Sequence, residues 1–235
     1  MTPAIRILSS MATRQVLAEL AALAAPHLGR TAAIESIGGV DAVRRVRDGE
    51  VWDIVVLAAD AIEQLTAAGR IAAGSRIDLV RSGVAVAVPA GAPRPDLASE
   101  EAVKRAVLAA PRVAYSSGPS GVYLAKLFER WGIAEEIRGR LLQARPGIPV
   151  GGMLARGEAE LGFQQFSELM SIEGIDVVGP LPDPIQVITT FSAGRCVGGP
   201  NADAARALLS FMASPAADET IRRNWLQPAG ARPAA

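Results

Sequence analysis

Apolar positions along this chain alternate between two rhythms, and the alternation predicts strands that hand over to helices. Ile5 to Leu8 reads as a short strand; after Ser9, Ser10, Met11, Ala12 and Thr13, a helix follows whose buried stripe is Val16, Leu17, Leu20 and Leu23. Ala32 to Glu35 is a second strand, ending in Ser36, Ile37, Gly38 and Gly39, and a helix then starts near Val40. Ile54 to Leu57 is nearly continuously apolar, as expected of a parallel strand buried on both faces. Asp60 is placed to cap the next helix, Ala61 to Ala68.

Leu79 to Val88 is a long extended segment, read as a crossover with a hinge at Arg81 to Gly83. Beyond it the spacing predicts a helix over Ala102–Ala109, a strand at Val113–Tyr115, a helix from Gly152 and a strand over Glu160–Gln164. Val177 and Val178 form a further strand, and Gln186 to Ala193 a second long extended segment. An amphipathic helix, Ala202 to Ser214, and a last helix holding Ile221 and Trp225 precede a tail expected to fray from Pro228. Two crossovers enclosing a block with its own alternation predict two α/β lobes joined by two strands. Residues 1–82 with 192–235 make the first lobe and 83–191 the second.

The stretch YSSGPSGVYLAKLFERWG, Tyr115 to Gly132, is the most pointed of these junctions. Val122, Leu124, Leu127, Phe128 and Trp131 recur at helical spacing after a loop of small residues. A helix starting there offers free N–H groups and its positive dipole end to an anion. Ser117 or Ser120 could equally cap that helix. In open α/β sheets ligands bind beyond the carboxyl ends of strands, and every small polar turn along the chain sits at such an end. Ser9, Ser10, Ser36, Gly38, Ser117, Ser120, Gly121, Val150, Gln164 and Gln165 are therefore the candidate ligand-binding residues, expected to face one cleft. Successive strand residues point to opposite sides, so at most one of the two glutamines touches ligand.

Composition narrows the classes. Of 235 residues half are hydrophobic and a fifth charged, and 24 basic residues balance 24 acidic ones, so no net field draws the chain to nucleic acid or an anionic membrane. One cysteine, Cys196, permits no internal disulfide, and one histidine, His27, makes a conventional zinc site or a Cys/His dyad a poor expectation. No metal or cofactor is expected. Cys196 is read as a small buried strand residue and His27 as a helix-end residue. The opening MTPAIRILSS carries no basic segment followed by an apolar stretch of about 7–15 residues. No uncharged run of about 18 residues could span a bilayer. The expected location is cytoplasmic, or periplasmic if an export signal has been removed.

The chain resembles the type II periplasmic binding proteins, in particular their molybdate-binding branch. The resemblance is carried by ILSSMATRQVLAEL, WDIVVLAAD, AYSSGPSGVYLAKLFERWGI and PVGGMLARGEAELGFQQFSEL with VVGPLP. It implies a two-lobed α/β fold with two hinge crossovers. It also implies an oxyanion held without counter-charges by hydroxyls and backbone amides, here Ser10 with Ser9, Ser36, Ser120 and Val150. The family's tyrosine is matched by Gln165, and an amide, which both donates and accepts, suits a carboxylate better than an inorganic tetrahedron. The fold also has relatives similar to aconitate isomerase, which moves a proton and a double bond within an unsaturated tricarboxylate. The implied function is then an isomerase of a small unsaturated di- or tricarboxylate; the alternatives are the binding protein of a molybdate-type ABC transporter, with a permease partner only if exported, and a cytoplasmic ligand sensor. Isomerisation needs a base. Tyr115, Tyr123 and Glu35 are the candidates, none assigned, with Arg14, Arg81 or Arg195 as possible carboxylate partners.

Overall fold

The computed structural model describes residues 3–230. In chain order the first elements are β1 (Ile5–Ser10), α1 (Arg14–Leu28), β2 (Ala32–Ile37), α2 (Gly39–Arg47), β3 (Ile54–Ala58), α3 (Ala59–Ala67) and the long strand β4 (Ile77–Pro89). Then come α4 (Glu100–Ala109), β5 (Val113–Tyr115), α5 (Pro119–Arg130), α6 (Ala134–Ile137), β6 (Leu141–Gln143), α7 (Val150–Ala155), β7 (Leu161–Gln165), α8 (Phe166–Leu169) and β8 (Ile175–Pro180). The chain closes with β9 (Ile188–Arg195), α9 (Ala202–Met212), α10 (Asp218–Arg223) and β10 (Gln227–Pro228). It divides into two compact units, one holding the residues up to Ser82 and from Thr190 on, the other Gly83–Thr189. The chain passes between them inside β4 and again inside β9.

In the first unit β1 lies between β2 and β3, all parallel, and β9 runs antiparallel to β3. The period-2 alternation of a strand sorts the apolar residues onto two faces. Ile5, Ile7, Ile54 and Val56 pack with α1, α9 and α10, while Leu8, Val55 and Leu57 pack with α2 and α3. Both faces are therefore covered, which is why β3 reads as an unbroken apolar run. In the second unit β6, β5 and β7 are parallel, and the second half of β4 lies antiparallel between β7 and β8. Val84, Val86, Val113 and Phe163 face α4 and α5, whereas Ala85, Ala87 and Ala114 face Val150 and Leu154 of α7 and Leu169 of α8.

Several local expectations are corrected. Asp60 lies inside the first turn of α3, because that helix begins one residue earlier and Ala58 occupies its cap. Helix α5 is capped by neither Ser117 nor Ser120: Gly118 holds the cap and Pro119 opens the helix, which suits a residue with no N–H to lose. Val122 is exposed and lies off the buried stripe of α5. Trp225 lies beyond α10 at φ 59°, exposed and outside any helix. Pro228 does not begin a frayed tail, since Gln227 and Pro228 pair with Arg81 and Val80; the rest of that expectation, from residue 231 on, lies outside the described residues. Cys196 is buried just past the end of β9, bridged to Ile71. His27 ends α1, stacked on Phe211 with ring centroids 5.7 Å apart. Among the described residues no helix is long and apolar enough to cross a membrane.

At the amino ends of its strands the first unit is closed by Asp53. Its carboxylate accepts from the backbone N–H of Arg6 at 2.8 Å, the N–H of Asn201 at 2.9 Å and the Asn201 side-chain amide at 3.0 Å. The residue is buried, so removing the carboxylate strands three donors away from water. Asp53→Ala is expected to cost about 3 kcal/mol in chemical denaturation. A loss below about 1 kcal/mol would mean that water replaces the carboxylate.

Candidate functional site

The parallel strands of each unit end at one edge, and the candidate residues collect there. In the first unit Ser9 of β1 stands opposite Ser36 of β2, and their hydroxyl oxygens lie 2.7 Å apart, one donating to the other. The next residue, Ser10, is extended and leads into the single turn before α1; its backbone oxygen accepts from the Thr13 hydroxyl at 3.2 Å. The Ser10 hydroxyl is buried and has no hydrogen-bond partner among the described residues. An orphaned buried hydroxyl forgoes about 1–3 kcal/mol, so a partner supplied from outside is worth that much. Gly38 caps α2 with its backbone oxygen accepting from Ala42 N–H, at a φ of −58° that any residue can adopt.

In the second unit the chain leaves β5 through Ser116, Ser117 and Gly118. Ser120, in the first turn of α5, shares a hydrogen bond of 2.8 Å with Ser116, a residue outside the candidate set, and both are buried. Ser117 is half-buried. Gly121 serves the chain's own packing: a Cβ there would stand 1.6 Å from the backbone oxygen of Ser116. The Val150 N–H at the start of α7 donates to Gln164 Oε1 at 2.8 Å. The same amide donates through Nε2 to Glu168 Oε2 at 2.5 Å. Gln165, pointing the other way, donates to the Thr189 hydroxyl at 2.9 Å.

Glu168 is the residue that the sequence reading missed. It sits in α8, one turn from Gln164, and although the residue as a whole is half-buried, burial pushes its carboxyl pKa up to about 7. The amide donated by Gln164 offsets only part of that rise. The i, i+4 pairing of Gln164, next to last in β7, with an acid in the helix that follows was the available signal.

The expected bases sit elsewhere. The Tyr123 hydroxyl donates to the Ile185 backbone oxygen at 2.8 Å, and burial raises its pKa. Tyr115 packs edge-on against Phe128, and Glu35 is ion-paired to Arg45, which also holds Glu50. Of the arginines, Arg14 is exposed at the start of α1, Arg81 pairs with Gln227 in the sheet, and the Arg195 N–H donates to the Ser75 hydroxyl. No group of three or more His, Cys, Asp or Glu side chains that could hold a metal ion occurs among the described residues.

Comparison with known proteins adds relatives to this geometry. The model of a family described as bacterial extracellular solute-binding proteins matches residues 5–226. An aconitate isomerase from a Pseudomonas species is 41% identical over 190 residues, covering 80% of this chain and 72% of that protein. The periplasmic molybdate-binding protein of Azotobacter vinelandii aligns with a TM-score of 0.78 at 19% identity, over 94% of this chain and 98% of that one. A sulfate-binding protein from Mycobacterium tuberculosis aligns with a TM-score of 0.76 at 17% identity, over 97% and 88%. At such identities these two structures establish the fold, that of the type II periplasmic binding proteins.

Two outcomes are expected from the second unit. Gly121→Ala must push the loop off Ser116, so a fall in melting temperature of several degrees is expected, and an unchanged value would disprove the tight contact. A carboxyl whose folded pKa is raised is at its most favourable below the unfolded value of 4.5, and that stability is lost as pH climbs through about 7. Glu168→Gln, which cannot ionise, should match the parent near pH 4 and exceed it by about 3 kcal/mol at pH 8.5. Parallel stability curves for the two proteins would contradict the raised pKa.

Proposed function

The chain belongs to the bacterial extracellular solute-binding protein family, and from that premise we propose that it binds a small unsaturated di- or tricarboxylate and shifts a proton and a double bond within it, as an isomerase of the aconitate type. The observation that carries this reading is a neutral donor set at strand ends, with the Ser10 hydroxyl buried and unpartnered beside the Ser9–Ser36 pair, in a chain 41% identical to an aconitate isomerase. A polycarboxylate already brings several charges; hydroxyl and amide donors orient its oxygens without neutralising them through fixed arginines.

The chemistry requires three things. The carboxylates must be held by N–H and O–H donors, a base must reach a methylene carbon, and the enolate-like charge that develops must be stabilised. We assign the first task to Ser9, Ser10 and Ser36 in the first unit and to the Ser117–Gly121 turn, Val150, Gln164 and Gln165 in the second. Within the second unit several of these already serve one another, Ser120 with Ser116 and Gln164 with Val150. Ligand binding there exchanges protein partners for carboxylate oxygens.

A second reading, capture of an oxyanion or carboxylate for an ABC transporter without turnover, is favoured by the family match over residues 5–226. Turnover separates the two. The cis and trans isomers of aconitate should each raise the melting temperature, since a ligand at about 100 times its Kd adds about 2.7 kcal/mol, and proton NMR should then record conversion of either isomer into the other. Ser10→Ala is expected to weaken binding about tenfold or more with little loss of fold stability. Stabilisation by molybdate or sulfate with no response to organic acids would overturn the isomerase reading in favour of transport.

A further inference from the structure

The second unit contains a carboxylic acid that the fold does not need. Glu168 has no ion-pair partner among the described residues, and β7, α7 and α8, which pack together, carry no other titratable side chain. Nothing charged therefore compensates its burial, and an uncompensated buried acid is costly to keep. Its one side-chain hydrogen bond comes from Gln164, whose amide is itself fixed at the other end by the Val150 N–H. The carboxyl is thus held at Oε2 by a rigid, neutral relay anchored at the start of α7. The Gln164 amide bond is made to Oε2 and not to Oε1. The acid also lies where β7 leaves the sheet, at the same edge as the Ser116–Ser120 turn that follows β5. Surface acids such as Glu35, Glu100 and Glu160 are by contrast all paired with arginines.

We infer that Glu168 is the base that carries the proton in the allylic shift, an assignment that rests on the isomerase reading above. The Glu168 carboxylate takes a proton from the substrate methylene, the C–H electron pair becomes the new carbon–carbon double bond, and the electrons of the old double bond move onto the far carbon and its carboxylate. The protonated Glu168 then returns the proton to that far carbon, regenerating its own carboxylate. Substrate and product have the same composition, so no further reactant is required. Gln164 is a positioning residue, turning the carboxyl and keeping Oε2 occupied. A base poised near neutral pH combines a large ionised fraction with useful basicity. The carboxyl pKa of about 7 meets that condition where an ordinary glutamate would be a much weaker base.

The test uses the full chain with cis- and trans-aconitate, following interconversion by proton NMR and solvent deuterium uptake into the methylene. The parent should show kcat/KM rising with pH to a plateau, with an apparent pKa near 7. Glu168→Gln should lower kcat by at least about 100-fold, lose the ascending limb, still be stabilised by aconitate in thermal shift, and be no less stable than the parent at pH 8. Glu168→Asp, which keeps a carboxyl, should retain part of the activity with a displaced limb. Turnover by the parent together with undiminished kcat and an unchanged pH profile in Glu168→Gln would overturn the assignment and leave the isomerase reading standing. No interconversion or exchange by the parent would instead overturn the reading beneath it.

Discussion

Parallel strands buried on both faces impose a constraint from which most of this molecule follows. Each such strand must release its chain at the same edge of the sheet, into a helix whose first N–H groups have no partner within the helix. The space there is narrow, as the 1.6 Å clearance left for any Cβ at Gly121 demonstrates. At Gly121 no side chain fits, and around these ends neutral donors and acceptors satisfy one another. Ser9 with Ser36, Ser116 with Ser120, and Val150 with Gln164 are three solutions to that one problem.

Under the proposed function, a set of neutral partners built in this way receives carboxylate oxygens. The hydroxyls and amides can exchange one acceptor for another at little cost, because they are already fixed in place by the strand ends. Two arginines of the first unit are occupied by acids. Arg45 joins Glu35 and Glu50 while lying over Trp52, and Arg76 joins Glu63 and Asp78. Exposed pairs of this kind contribute less than about 1 kcal/mol each. They lie on the surface and take in none of the neutral pairs at the strand ends.

Against this neutral background Glu168 is an exception with a stability cost. Burial without a counter-charge penalises its ionised form, and the single amide from Gln164 does not offset the penalty. Titratable groups displaced toward neutrality by burial are characteristic of sites that move protons, where stability is traded for reactivity. Asp53 illustrates the other way to bury an acid: three donors from Arg6 and Asn201 satisfy it, and it ties β1 to the start of α9.

Much of this was legible in the chain itself. The switching of apolar period between two and about 3.6 located nearly every strand and helix, because strands such as Ile54–Ala58 are apolar on both faces and helices such as Ala202–Met212 on one. The small polar residues at strand ends were legible for the same reason, since Ser9 and Ser10 follow the apolar run of β1 and the Ser116–Gly121 stretch follows that of β5. Capping was less so: the order Gly118, Pro119, Ser120 lets any of several residues end the loop, and backbone geometry chose the glycine. Which polar groups satisfy one another could be decided only in three dimensions. Ser9 meets Ser36 across strand register, Val150 meets Gln164 from a different element, and Glu168 is isolated by what packs around it; partner and burial both depend on residues distant in sequence.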